Sequence, residues 1–134
     1  MRYILDSHLL IWSLFNDEKL PPAAYDIINN QDNEIFYSTA SIWELDIKHA
    51  KAPEKMPVSG KAISDWCESA DMTSLPILKE HVFQISALRR DENAPAHNDP
   101  FDRILIAQAK AEDMILLTHD KLLKDYAEQC VKLV

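Results

Sequence analysis

The sequence is poor in glycine, and this scarcity excludes two common kinds of nucleotide site. Gly60 is the only glycine among the 134 residues. The loops that cradle phosphates need several glycines at fixed spacing, so neither a GxGxxG nor a GxxxxGK[ST] loop can form. We therefore do not expect nucleotide binding through either of these loops.

Cysteines and long apolar runs are also scarce. Cys67 and Cys130 are far apart and lack the spacing of zinc ligands, which favours a reducing compartment, although the sequence leaves a disulfide open. No stretch approaches the roughly 18 apolar residues that a membrane-spanning helix needs. Asp6 and His8 interrupt the apolar start, and no small-residue cleavage site follows, unlike a secretory signal. We expect a cytoplasmic protein without membrane contact.

Positive charge is in deficit as well. The formal net charge is −8, which argues against a protein that coats nucleic acid electrostatically. The region 41–60 is nevertheless neutral and holds Lys48, Lys51 and Lys55 close together, so a local basic rim can still meet a phosphate backbone. With 134 residues and 47% hydrophobic residues, we expect one domain over residues 1–134 with a proper core.

Predicted strands and helices alternate along the chain. Strands are predicted at five stretches, namely RYIL, NEIFYS, SLPIL, MILLTH and VKLV, with helices between them and a last helix at KLLKDYAEQ. This alternation favours an α/β fold with a mostly parallel central sheet and helices on both faces. Ligand sites in such sheets lie beyond the carboxyl ends of the strands. Asp6 ends the first strand and Asp120 follows MILLTH, so we expect both at that edge.

Four acids have ordinary explanations when they are taken one at a time. Asp6 and Asp120 each precede a predicted helix and could serve as its N-cap. Glu44 could close a capping box that begins at Ser41. Asp102 lies in the first turn of a helix, where the helix dipole favours an anion.

Taken together, the four acids predict a metal site. Carboxylates that meet in one cleft cannot all stay ionised unless a cation enters. Oxygen ligands without thiolates suit Mg²⁺ or Mn²⁺ rather than zinc, and the pattern suits one ion or two. Such an ion activates water and holds a phosphate, which is the chemistry of phosphodiester hydrolysis. Asp99, by contrast, is predicted only as the N-cap of the helix that begins at Pro100.

Four segments that together span most of the chain resemble the PIN-domain ribonucleases, in particular the VapC-type toxins. They are LDSHLLIWSL, SIWELDIKHA, DPFDRILIAQA and LLTHD. The catalytic and metal-binding acids of that family match Asp6, Glu44, Asp102 and Asp120. The resemblance implies an α/β/α sandwich with Mg²⁺-dependent endoribonuclease activity, for which Mn²⁺ is a possible substitute. It also implies a homodimer and a small antitoxin protein that inhibits the enzyme.

The RNA substrate implied by this resemblance needs positive charge near the acids. Lys48, Lys51, Arg103 and His119 are the candidates for contacting RNA, and each can also be read as part of a solvated helix face or end. His119 departs from the family pattern, in which arginine or lysine usually stands beside the last acid. We expect this change to affect substrate fit rather than activity.

Two other functions, a phosphatase and a signalling receiver, do not fit the sequence. A haloacid-dehalogenase-like phosphatase needs a second aspartate two residues after the first, and this chain has His8 there. A response-regulator receiver needs an order of acids that the chain does not follow. The remaining alternative is a catalytically inactive PIN-like scaffold that binds RNA or a protein partner. The presence of all four acids argues against it, because a scaffold could lose them.

Overall fold

The computed structural model describes residues 1–134 and contains one five-stranded sheet in the order β3-β2-β1-β4-β5. Every neighbouring pair of strands is parallel. The strands are β1 (Arg2–Leu5), β2 (Glu34–Ser38), β3 (Thr73–Leu75), β4 (Ile115–Thr118) and β5 (Val131–Leu133). Because parallel strands need long crossover connections, each connection runs through at least one helical segment.

Six α-helices cover both faces of the sheet. They are α1 (Ser7–Leu14), α2 (Pro22–Ile28), α3 (Thr39–Lys51), α4 (Gly60–Ser69), α5 (Lys79–Ile85) and α6 (Pro100–Ala111). Alternate residues of β1 face opposite sides, so Tyr3 and Leu5 join the core under α1 to α4, whereas Ile4 joins the core under α6. The predicted fold class, a parallel sheet between two helical layers, is confirmed. None of the helices combines the length and apolarity needed to cross a membrane.

The pairing of β1 with β4 determines which residues lie at the carboxyl edge of the sheet, where the strands end. Leu5 lies opposite Leu117, and the backbone N–H of Asp6 donates to the Leu117 carbonyl at 3.1 Å. The chain winds from β1 through β2 to β3 in one direction and from β4 to β5 in the other. The gap between β1 and β4 is therefore the topological switch point, where open α/β sheets usually bind ligands.

The predicted last helix is wrong. Instead of a helix over KLLKDYAEQ, the chain forms a five-residue 3-10 helix (Lys121–Asp125), and Tyr126 then forms an antiparallel bridge with Arg90. The Ala127 N–H donates to the Arg89 carbonyl at 2.9 Å. Burial of the Tyr126 ring and these backbone hydrogen bonds outweigh the modest helix propensity of the segment.

The capping box predicted for Ser41 and Glu44 is also wrong. The N-cap of α3 is Ser38, whose hydroxyl accepts a hydrogen bond from the Ala40 N–H at 3.0 Å. Ser41 therefore lies within the helix, with its hydroxyl buried and without a hydrogen-bond partner. Glu44 is consequently not needed as a cap.

Gly60, the only glycine, is the first residue of α4 and lies in close contact with α3. Its N–H donates to Asp46 Oδ1 at 2.9 Å, and a Cβ at this position would lie 2.9 Å from the Ile42 carbonyl oxygen. We expect Gly60→Ala to lower the free energy of unfolding by about 1–3 kcal/mol, because a helix backbone has to move to relieve the overlap. Urea unfolding measures this change.

The control for this substitution is Lys61→Ala, at the next and exposed position of α4. It should change the free energy of unfolding by no more than about 0.5 kcal/mol. Equal stability of Gly60→Ala and wild type would contradict the close approach of α3 and α4.

Candidate active site

Asp6 is a buried carboxylate with both oxygens held in place. It is the N-cap of α1, and Oδ1 accepts a hydrogen bond from the Leu9 N–H at 2.8 Å. Oδ2 accepts from the Thr118 hydroxyl at 2.5 Å. Only 4% of the residue is exposed, and burial raises the pKa of Asp6 although both hydrogen bonds oppose the rise. The carboxylate therefore has a fixed orientation at the carboxyl edge.

Thr118 connects Asp6 to Asp120 across the switch point. Its hydroxyl donates to Asp6 and accepts a hydrogen bond from the Asp120 N–H at 3.0 Å. Asp120 in turn caps the 3-10 helix through the Leu122 N–H at 2.9 Å. Sequence reasoning missed Thr118, and the only signal for it is a polar residue that ends an apolar strand two positions before an acid.

Glu44 reaches the same edge from the middle of α3. Its Oε1 accepts a hydrogen bond from the Ser7 hydroxyl at 2.5 Å, and Ser7 directly follows Asp6. Its Oε2 lies 3.8 Å from Lys48 Nζ, one turn further along the helix. Ser7 was also missed, since nothing in the local sequence pairs it with a residue 37 positions away.

Asp102 is held in the first turn of α6. As predicted, Asp99 is the N-cap, and its Oδ1 accepts from the N–H groups of Phe101 at 2.9 Å and Asp102 at 3.1 Å. The Phe101 ring packs edge-on against Trp43 of α3, with 5.1 Å between centroids. This contact joins the residue before Asp102 to the residue before Glu44.

The electrostatic environment of Asp102 indicates that the predicted acids lie near one another. Its pKa is raised to about 7, first by burial and then by the negative charges of the neighbouring acids Asp99, Asp120, Glu44 and Asp6. Repulsion between partly exposed charges fades beyond a Debye length of about 10 Å, so acids that act on Asp102 in this way lie near it. We call these five residues the acidic pocket.

The acidic pocket fits a divalent cation in its chemistry. Its polar atoms are carboxylate oxygens, which Mg²⁺ and Mn²⁺ prefer as ligands, and a cation would relieve the repulsion that adds to burial in raising the pKa of Asp102. No group of three or more histidine, cysteine, aspartate or glutamate side chains is arranged to hold a metal ion as it stands.

A groove with three lysines adjoins the acidic pocket. It has a volume of about 480 Å³ and is lined by Ser7, His8, Ile11, Leu45, Lys48, Lys51, Ala52, Lys55 and Met56. Ser7 lines this groove, and its hydroxyl donates a hydrogen bond to Glu44 of the acidic pocket. We call this feature the lysine groove; it includes two of the four residues predicted to contact RNA.

His119 lies outside the lysine groove and packs against α1. Its Nδ1 lies 2.6 Å from the Val134 carbonyl oxygen, and its ring packs on Trp12 with 5.7 Å between centroids. Trp12 also packs on His8, again at 5.7 Å, and His8 lines the groove. The three rings thus connect His119 to the lysine groove.

Arg103 is turned toward other partners. Its guanidinium donates from Nη1 to the Tyr126 hydroxyl at 3.1 Å and from Nη2 to the Ile85 carbonyl at 3.2 Å. These contacts occupy the guanidinium within the protein. The structure therefore does not bring Arg103 together with Lys48 and Lys51.

Comparisons with known proteins agree with this architecture. The sequence matches the PIN domain family over residues 3–129. Among solved structures, the fold is similar to that of VapBC2 from Rickettsia felis bound to a DNA fragment from their promoter, with a TM-score of 0.71 and 19% sequence identity. The alignment covers 100% of this chain and 99% of the other. A search of curated proteins finds no significant match.

The raised pKa of Asp102 predicts that its charge destabilises the metal-free protein. The group ionises near pH 7 when folded and near 3.8 as a free side chain. Between these values the folded state retains a proton that the unfolded chain has lost, so the free energy of unfolding falls as pH rises. With EDTA at pH 8, we expect Asp102→Asn to be more stable than wild type by roughly 1–3 kcal/mol, since each pKa unit is worth about 1.4 kcal/mol.

The pH dependence separates this effect from a general gain in stability. The advantage of Asp102→Asn in urea unfolding should shrink steadily from pH 8 toward pH 5. Asp26→Asn, which removes an exposed charge on α2, should give no such pH-dependent advantage. An Asp102→Asn variant no more stable than wild type at pH 8 would show that the acids do not repel each other as described.

Proposed function

The chain belongs to the PIN domain family, and on that premise we propose that it is a Mg²⁺-dependent endoribonuclease that acts as the toxin of a toxin–antitoxin pair. PIN domains are generally nucleases. The observation that carries the proposal is the gathering of acids at the switch point of the sheet. Thr118 hydrogen-bonds both Asp6 and Asp120, and Ser7, next to Asp6, hydrogen-bonds Glu44. Repulsion between acids in such a site is unfavourable for the fold unless a cation binds.

In this proposal Asp6, Glu44, Asp102 and Asp120 hold the ion, with Mn²⁺ as a possible substitute for Mg²⁺. When bound, the ion lowers the pKa of a water molecule and binds a phosphate oxygen. The protein supplies the orientation of the ligands. Thr118 holds Asp6, and Ser7 holds Glu44, each through a hydroxyl that donates to one carboxylate oxygen. The buried charge of Asp6 is then balanced by the ion.

The lysine groove is the proposed path of the RNA backbone. Lys48 and Lys51 would neutralise phosphates next to the acidic pocket, which the overall charge of −8 would otherwise repel. Trp43 is 61% exposed and lies beside Glu44 in the sequence, so its ring can stack on an unpaired base. His119 extends this surface through its contact with Trp12.

The resemblance to VapC-type toxins implies two protein contacts, which we also propose for this chain. An antitoxin would cover the acidic pocket, where an arginine could pair with a carboxylate in place of the cation. A second copy of the chain would form a homodimer. The surface of α5 supports a protein contact of this kind, because Phe83 is 68% exposed beside an exposed Val82.

Removal of a proposed ligand should abolish RNA cleavage without unfolding the protein. Wild type should cleave RNA in Mg²⁺ and stop when EDTA is added. Asp102→Asn should lower the rate by more than about 100-fold, since even residues that merely support metal ligands are worth roughly 10–100-fold. Because the same substitution is expected to stabilise the fold, lost activity would not reflect lost structure.

The cleavage assay also separates the enzyme from an inactive scaffold. Asp26→Asn is the matched control and should cleave at the wild-type rate. RNA binding by wild type without cleavage in Mg²⁺ or Mn²⁺ would favour the scaffold. Cleavage that persists in EDTA would rule out the metal-dependent mechanism.

Charge reversal in the lysine groove should weaken RNA binding and its dependence on salt. In an Asp102→Asn background, where RNA remains intact, Lys48→Glu with Lys51→Glu should reduce the slope of log affinity against log salt by about 0.7 for each lost contact with a single strand. Fluorescence anisotropy at several salt concentrations measures the slope. Lys61→Glu with Lys79→Glu makes the same charge change elsewhere, and an equal effect of both pairs would refute the groove.

A further inference from the structure

His97 lies in the connection between α5 and α6, yet its side chain is only 10% exposed and both ring nitrogens face polar groups. Nε2 lies 3.3 Å from Asp102 Oδ2. Nδ1 lies 2.8 Å from the Tyr126 hydroxyl oxygen, and the imidazole meets the Tyr126 ring edge-on at 5.5 Å between centroids. The ring is therefore held in one place between Tyr126 and the acidic pocket.

Hydrogen-bond donors and acceptors around Tyr126 determine which nitrogen of a neutral His97 carries the proton. Arg103 can only donate, and its Nη1 lies 3.1 Å from the Tyr126 hydroxyl oxygen. That oxygen accepts from Arg103, so the single hydroxyl proton of Tyr126 is available to His97 Nδ1. Nδ1 is then an acceptor, and the ring proton is on Nε2, facing Asp102.

The opposite tautomer leaves a buried proton without a partner. If Nδ1 carried the proton, the Tyr126 oxygen would accept from both His97 and Arg103, and its own proton would have no acceptor. Tyr126 is only 5% exposed, so this loss would not be repaired by bulk water. The arrangement with Nε2 protonated satisfies the Tyr126 hydroxyl, Arg103 Nη1 and His97 Nδ1.

We propose that His97 is a positioning residue for Asp102: its Nε2–H, directed by Arg103 and Tyr126, donates to Oδ2 and leaves the other carboxylate oxygen free for a ligand in the acidic pocket. The consequence for catalysis rests on the proposed nuclease function. Nε2 and Oδ2 are 3.3 Å apart without hydrogen-bond geometry, and contacts that are long or poorly aligned in sites without ligands often tighten when the ligand binds.

The surrounding chain supports the position of His97. The Arg90 guanidinium lies over the Tyr126 ring, 4.6 Å from its centroid, and donates from Nη2 to the Pro95 carbonyl at 2.6 Å. Arg103 Nη1 also reaches the His97 carbonyl at 3.5 Å. The irregular connection between α5 and α6 thus packs against Tyr126. Arg103 therefore supports His97, the neighbour of Asp102.

The experiment measures binding of Mn²⁺ alone, without RNA, by electron paramagnetic resonance of the full chain. His97→Ala should weaken Mn²⁺ affinity about 10–100-fold, the range for residues that orient metal ligands. His97→Gln should recover part of this loss, because its amide N–H can replace Nε2–H. Tyr126→Phe keeps the ring but removes the hydroxyl, and should weaken Mn²⁺ binding less than His97→Ala does.

A second measurement reads the tautomer directly and requires no metal. Long-range ¹H–¹⁵N spectra of wild type should show His97 protonated on Nε2 and unprotonated on Nδ1. The same spectra of Tyr126→Phe should show a mixture of the two tautomers. Wild-type spectra with the proton on Nδ1 would overturn the proposal, even if the His97→Ala variant does not fold.

A purely structural role for His97 predicts a different pattern. Folded His97→Ala would then bind Mn²⁺ as wild type does, or His97→Gln would be no better than His97→Ala, and either result would overturn the proposal. His49→Gln is the control, since His49 Nδ1 contacts only the Met56 carbonyl, at 2.7 Å, and should leave Mn²⁺ affinity unchanged. Failure of wild type to cleave RNA would refute the nuclease function alone, because the Mn²⁺ and tautomer readouts do not involve RNA.

Discussion

The parallel pairing of β1 with β4 is the constraint on which the rest of the site depends. It sets Leu5 opposite Leu117, so the next residues of both strands leave the sheet side by side. Asp6 then meets the Thr118 hydroxyl, and the Asp120 N–H meets the same hydroxyl from the other side. A shift of this register by one residue would turn every side chain of a strand to the other face and separate these groups. Asp102 arrives on α6, which packs on β1 and β4, and Glu44 arrives on α3, which packs on α6.

The charge that the acidic pocket would need to bind a cation also destabilises the metal-free fold. Burial and neighbouring charges make ionised Asp102 unfavourable in the metal-free fold, yet a neutral side chain there would be a poorer ligand for a cation. Natural proteins commonly retain destabilising charge where activity needs it. The pocket limits this cost by giving Asp6 and Glu44 a hydroxyl donor each, and the proposed contact with His97 would do the same for Asp102.

The sequence was sufficient to predict the layers of the fold and the edge at which the acids lie. Apolar strands that end in acids have a local signature, and parallel topology then requires that Asp6 and Asp120 lie at the same edge. The prediction failed for the last helix, because burial of Tyr126 depends on a distant loop. Thr118, Ser7 and His97 were missed for a related reason, since each contact that gives them a role joins side chains that local spacing cannot pair. The contacts of Arg103 with Tyr126 and the Ile85 carbonyl likewise join residues that local spacing cannot pair.

The hydrogen bond between Asp6 and Thr118 joins residues 112 positions apart. The acidic pocket can therefore form only late in the synthesis of the chain. During synthesis the amino-terminal part of the chain emerges first, so Asp6 and Glu44 leave the ribosome long before β4 does. Until then Asp6 lacks the neighbouring strand β4 and has no hydroxyl to hold its Oδ2. Any activity of the pocket therefore begins only when the chain is nearly complete, and a fragment that stops short of β4 would have none.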